Sequence, residues 1–142
     1  HDDYRTSAGG VHLCVALEAK KAAKRKIDYL CVIPWQPLPT LSAPGADPIV
    51  TLLLNSEVLA HARMSEFVEA ARLAKMGNPH LVVHHLMGHT TERLLDLARG
   101  LGVRSCMLWL HDNFTLCPNY TLQRNDITFC DAPAKDTTAC MI

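Results

Sequence analysis

The chain has no charge imbalance, no long apolar run and no internal repeat, and each absence removes a class of protein. Its 14 lysines and arginines equal its 14 aspartates and glutamates, so no global field recruits nucleic acid or an anionic membrane. Only KKAAKRK, from Lys20 to Lys26, is locally basic, and it suits the cationic C-terminal end of a helix. No apolar stretch approaches the roughly 20 residues that cross a bilayer, and HDDYRTSAGG lacks the apolar core of a secretory signal. The expected compartment is therefore the cytoplasm. There is no P-loop GK[ST], no G-x-G-x-x-G fingerprint and no H-E-x-x-H zinc motif.

What remains is a chain of 142 residues, 49% hydrophobic and 20% charged, which fits one globular domain with a proper core. Apolar β-rich runs alternate with helical patterns, which predicts an α/β fold with a parallel sheet. A helix is expected from about Val11 to Lys26, then a strand over IDYLCVI (Ile27 to Ile33), stopped by the prolines of PWQPLP. IVTLLLN (Ile49 to Asn55) is apolar on both faces, as a central parallel strand should be. A helix is expected from about Ser56 to Met76, closed by Gly77-Asn78-Pro79. HLVVHH (His80 to His85) reads as a third strand, Thr90 or Thr91 as the cap of the next helix, and RSCMLWL (Arg104 to Leu110) as a fourth, buried strand. Residues 113–142 read as a loop-rich, cysteine-containing tail. The opening HDDY, followed at once by a glycine pair and a helix, and the uncapped ending ACMI suggest an excised piece lacking a first strand.

In an open parallel sheet ligands sit beyond the carboxyl ends of the strands, and three polar clusters fall at such ends. Gly9 and Gly10 open the first helix, where backbone amides can approach a phosphate, although a simple turn uses the same pair. His84, His85 and His89 follow the third strand, and His111 with Asp112 follows the fourth. These histidines and Asp112 are competent zinc ligands, but adjacent His84 and His85 point to opposite faces if the strand continues. His111 at a strand tip suits an acid–base or hydroxyl-binding role with Asp112 orienting it; equally, Asp112 or Asn113 is a helix cap and His111 packs beneath it.

Cys14, Cys31 and Cys106 lie within expected regular elements, where a free thiol acts as a small apolar residue. Cys117, Cys130 and Cys140 lie in the tail, as three ligands of a structural zinc or as free thiols.

Three segments, HDDYRTSAGGVHLCV, PHLVVHHLMGHTTERLLDLARGLGV and LHDNFTLCPNYTLQRNDITFCDAP, together resemble the N-terminal half of bacterial group 1 glycosyltransferases. These are retaining enzymes with two facing Rossmann-like domains, the GT-B arrangement. The resemblance implies that residues 1–142 form the N-terminal, acceptor-side domain, a Rossmann-like parallel sheet with helices on both faces. It implies transfer of a sugar from a nucleotide-sugar to a carbohydrate or lipid-linked acceptor, in polysaccharide or glycoconjugate synthesis, peripheral to the inner membrane. Gly9 and Gly10 would meet the donor diphosphate, His111 and Asp112 would be the catalytic pair, and His85 and His89 would line the acceptor cleft. No catalytic cofactor is implied, because helix dipoles and basic residues stabilise the leaving diphosphate. A C-terminal domain carrying the E-x7-E motif would bind the nucleotide, so this piece alone would not transfer sugar. The rival expectation is a non-catalytic α/β module that binds a carbohydrate or a protein.

Overall fold

A computed structural model describes residues 3–6, 9–36, 38, 40–74, 76–113, 121–124 and 127–131. Among these residues the fold is mixed α/β: a three-stranded antiparallel sheet, a short parallel pair, a two-residue-per-strand hairpin and three helices. In chain order these are α1 (Gly10–Lys24), β1 (Leu30–Pro34), β2 (Ile49–Leu54), β3 (Glu57–Arg63), α2 (Met64–Leu73), β4 (Leu81–Val83), α3 (Thr91–Gly100), β5 (Cys106–Leu108), β6 (Gln123–Arg124) and β7 (Thr128–Phe129).

β2 is central, as its apolar run requires, but both of its neighbours run antiparallel to it. This corrects the expectation of a parallel sheet for these strands. A parallel return needs a crossover, usually a helix, whereas the Pro-rich segment between β1 and β2 supplies none. Val50 and Leu52 of β2 face the main core, and Thr51 and Leu53 are buried on the other side.

The expected helix from Ser56 to Met76 is also corrected. The chain turns at Asn55 and Ser56, whose φ angles of 53° and 76° make the left-handed two-residue turn that matches strand twist. β3 follows, with Leu54 opposite Glu57, and only at Met64 does the chain become helical. Leu52 pairs with Ala60 but Leu53 with Val58, so Leu59 is the extra residue of a bulge. Asn55 also ties the turn to the start of β1. It accepts the Tyr29 N–H through Oδ1 at 2.9 Å, donates its own N–H to the Tyr29 carbonyl at 2.9 Å, and donates through Nδ2 to Asp28 at 2.9 Å.

α2 places Met64, Phe67 and Ala71 at helical spacing against β2, with Glu66, Glu69 and Arg72 outside. Its start is fastened from outside: Asp47 accepts the Ser65 N–H at 2.8 Å and the Ser65 hydroxyl at 2.6 Å. Leu97 of α3 completes the core cluster with Val50, Leu52, Met64, Phe67 and Ala71. Thr90 occupies the expected N-cap position of α3, but its buried hydroxyl makes no capping bond.

β4, α3 and β5 form a βαβ unit, with Leu81, Val82 and Val83 paired in parallel with Cys106, Met107 and Leu108. β5 was expected to be buried, and it is exposed along its whole length. It is an edge strand: among the described strands only β4 lies beside it. The tail carries the β6–β7 hairpin among its described residues.

Candidate functional site

The site grows from the carboxyl ends of β4 and β5. His84 is the first residue after β4 and His111 the third after β5. The Trp109 N–H donates to the Val83 carbonyl at 2.8 Å, carrying the parallel pairing one step further and fixing the approach of the two ends. His84 Nδ1 and His111 Nε2 are 3.2 Å apart and share one hydrogen bond. Their ring planes lie within 14° of parallel, with centroids 5.4 Å apart. Trp109 runs nearly parallel to both, 5.9 Å from His111 and 6.2 Å from His84.

The other nitrogen of His84 reaches α1. His84 Nε2 lies 3.0 Å from Glu18 Oε2, and the Tyr29 hydroxyl donates to that same oxygen at 3.2 Å. Glu18 sits one turn past Val15 on the inward stripe Val11–Val15–Glu18–Ala22 of α1, where spacing predicts an apolar side chain. The result is a continuous chain, Tyr29–Glu18–His84–His111, drawn from four separate parts of the sequence. The His84 side chain is only 11% exposed, so its two bonds matter: a buried polar group without partners is costly.

Beside this chain a cavity of about 120 Å³ separates β1 from β4 and is closed by α1 and α3. Its wall is apolar apart from His12, Tyr29, Cys31, His84, His85 and His89. Burial pushes the Tyr29 phenol above its ordinary pKa, with the neighbouring Cys31 and Glu18 adding to it, so Tyr29 remains a hydroxyl donor. Burial, with the negative charges of Asp3 and Glu18, pushes the Cys31 thiol up to about 12. Such a thiol is neither a nucleophile nor a ready ligand.

The segment carrying His85 and His89 is held against the loop after β1. The Gly88 N–H donates to the Thr40 carbonyl at 2.8 Å, and the Ser42 hydroxyl to the Gly88 carbonyl at 2.8 Å. The Ser42 N–H donates to the His89 carbonyl at 3.0 Å. Gly88 has φ +70°, and a Cβ there would come within 2.8 Å of Pro34.

The structure therefore gathers the sequence candidates unevenly. His111 joins His84, and Asp112 follows it, half-buried in the bend after Leu110. His85 and His89 line the cavity together with His84. Gly9 and Gly10 are exposed at the N-terminus of α1, about 12 Å along the helix axis from Glu18. Gly9 is extended at φ 172°, a conformation open to any residue, and nothing lies within 4 Å of a Cβ at Gly10.

Cys14, Cys31 and Cys106 are free thiols within α1, β1 and β5, as expected. Cys130 is half-buried after β7, while Cys117 and Cys140 lie outside the described residues. Among the described residues no three His, Cys, Asp or Glu side chains converge in the way a metal ion needs. No helix among them is long and apolar enough to cross a membrane. Glu18, Tyr29 and His12 were missed by sequence reasoning. The available signal for Glu18 was a carboxylate on the inner stripe of an otherwise ordinary lysine-rich helix.

Comparison with protein-family models, with curated proteins and with solved structures finds no match, so function is read from the residues and their geometry.

Proposed function

We propose that the chain is the acceptor-side half of a retaining, GT-B-type glycosyltransferase that uses a nucleotide-sugar donor. The β4–α3–β5 unit would be its Rossmann-like portion, and the donor would be held by a second domain. The observation that carries this reading is the meeting of His111 and His84 at the carboxyl ends of β4 and β5. That is where an α/β sheet places ligands, and where the sequence resemblance puts the residue beside the reacting sugar. His111 would contact a sugar hydroxyl, with Asp112 beside it. His85 and His89 would shape the acceptor side from the cavity wall, and the exposed amides of Gly9 and Gly10 would meet the donor diphosphate. No catalytic metal enters this scheme. A zinc held by Cys117, Cys130 and Cys140 would be structural. Acceptors bearing a lipid carrier would place the enzyme at the cytoplasmic face of the inner membrane.

The test is sugar transfer by the polypeptide that carries this chain together with its donor-binding half. Release of nucleoside diphosphate is followed over a panel of uridine, guanosine and thymidine diphosphate sugars, with the anomeric configuration of the product read by NMR. His111→Ala should lower turnover by about 100-fold or more without altering the circular dichroism spectrum. Near-unaltered turnover would remove His111 from the reaction. Absence of transfer with every donor, or a parent polypeptide with no E-x7-E segment, would favour a non-catalytic binding module.

A further inference from the structure

With both imidazoles neutral, elementary donor–acceptor rules give the hydrogen-bonded chain behind His111 a direction. A carboxylate oxygen only accepts. Glu18 Oε2 receives the Tyr29 hydroxyl at 3.2 Å and faces His84 Nε2 at 3.0 Å, so His84 Nε2 carries the proton of that bond. A neutral imidazole has one N–H, so His84 Nδ1 is then an acceptor. The 3.2 Å contact from His84 Nδ1 to His111 Nε2 must be donated by His111. Its single proton is thereby held on Nε2, and Nδ1 is left with a lone pair.

We propose that Glu18 is a positioning residue which, acting through His84, locks His111 in its Nε2–H tautomer and makes Nδ1 the acceptor for a substrate hydroxyl. The role as a substrate contact rests on the glycosyl-transfer reading above; the tautomers do not. The specificity that follows is chemical. The site selects a ligand that donates a hydrogen bond to His111, such as a sugar or lipid-carrier hydroxyl. It disfavours an ether or ketone at the same place, because two acceptors would meet with no proton between them. Tyr29 serves the same end from the other side. Its phenol, kept protonated by burial first and by Cys31 and Glu18 next, is a constant second donor that holds Oε2 in place. Trp109 lies beside this bond, nearly parallel to both imidazoles.

The experiment has a spectroscopic and a kinetic arm. Long-range proton–nitrogen correlation spectra of the 15N-labelled chain at neutral pH report which nitrogen of each histidine bears the proton. His84 and His111 should both be Nε2–H in the wild type. Glu18→Leu fits the apolar stripe of α1, and should leave the amide spectrum folded while His84 and His111 become tautomer mixtures. Glu18→Gln, which still offers a carbonyl oxygen to both donors, should restore most of the Nε2–H signal. A wild-type His111 protonated at Nδ1, or a doubly protonated His84 donating to it, would overturn the proposal. So would tautomers indifferent to Glu18→Leu. In the kinetic arm, Glu18→Leu should lower kcat for sugar transfer about 10- to 100-fold, by analogy with the carboxylates that orient metal-binding histidines. KM for the donor should be unchanged, and Glu18→Gln should recover part of the loss. Tautomers that respond while turnover does not would overturn the positioning role. Absence of sugar transfer in the wild type would sink the functional reading alone, and the tautomer pattern would still decide the relay.

Discussion

Replacing Gly88 by alanine tests the packing that holds the histidine segment in place. Two separate effects act at this residue. Its φ of +70° is unfavourable for any residue with a Cβ, at about 1–2 kcal/mol. The added Cβ would also lie 2.8 Å from Pro34 Cγ and 2.9 Å from Pro34 Cβ, well inside the roughly 3.5–4.0 Å optimum for carbon pairs. Pro34 is a buried ring at the end of β1, paired with Val50, and cannot swing aside like a flexible side chain. Overpacking of this kind costs about 1–3 kcal/mol.

Gly45 supplies the control, since it has φ +76° but nothing within 4 Å of the added atom. Gly45→Ala should therefore show the backbone penalty alone, and Gly88→Ala should be about 1–3 kcal/mol less stable than Gly45→Ala. Urea unfolding followed by circular dichroism reads both, as midpoint shifts at constant slope. Combining Gly88→Ala with Pro34→Gly should recover the clash as a coupling energy in a double-mutant cycle. Equal midpoints for the two single variants would refute the account of Gly88 as a close approach rather than a turn.

Three further outcomes follow from other parts of the fold. Phe67→Ala, at a core position only 6% exposed, should lower unfolding stability by about 3–5 kcal/mol in urea. A loss under about 1 kcal/mol would mean the α2–β2 core is not packed as described. Asp47→Ala removes the acceptor at the start of α2 and should cost about 0.5–2 kcal/mol at pH 7. The Ser65 hydroxyl foremost, then the Ser65 N–H and Arg93, holds the Asp47 carboxyl below its ordinary pKa. Its stabilisation is present above the unfolded carboxyl value of about 3.9 and is lost as pH falls through the lower folded value. The stability gap between wild type and variant should thus narrow in acid, and a gap independent of pH would count against the interaction. Cys31, with its thiol pushed up to about 12, should escape alkylation by iodoacetamide at pH 8 in the native protein. It should react once urea unfolds the chain; reaction at the rate of a free thiol in the native state would contradict its burial.

Several elements could be read in the sequence because their patterns had a single physical meaning. α1, β2 and α3 fall where an unbroken Ala–Lys run, an apolar run and a 3.6-residue leucine pattern place them. β3 could not be read in this way. EVLAHAR is rich in helix formers, and its mostly exposed burial pattern leaves no amphipathic stripe to betray a strand. Only the Asn55–Ser56 turn separates it from β2, without the glycine that usually marks such a turn. The exposure of β5 was equally hidden, because Met107, Leu108 and Leu110 are apolar whether or not anything covers them. At the site, His111 was legible from its place after a strand. Glu18 offered only its place on the inner stripe of α1, and its role needs the tertiary contact that brings His84 to it.

The four-part origin of the relay also sets when it can form. Tyr29 and Glu18 are 11 residues apart, whereas Glu18 and His84 are 66 apart. Closing the larger loop costs about 1.6 kcal/mol more chain entropy, before α1 and β4 have gained anything from docking. The relay should accordingly be a late event in refolding, following the β2–β3 hairpin, whose strands meet across two residues. Trp109, lying 5.9 Å from His111, is a built-in fluorophore for that moment. Its emission in the single-tryptophan variant Trp35→Phe should change after the far-ultraviolet signal has already developed. Simultaneous changes would place the relay inside the first cooperative step.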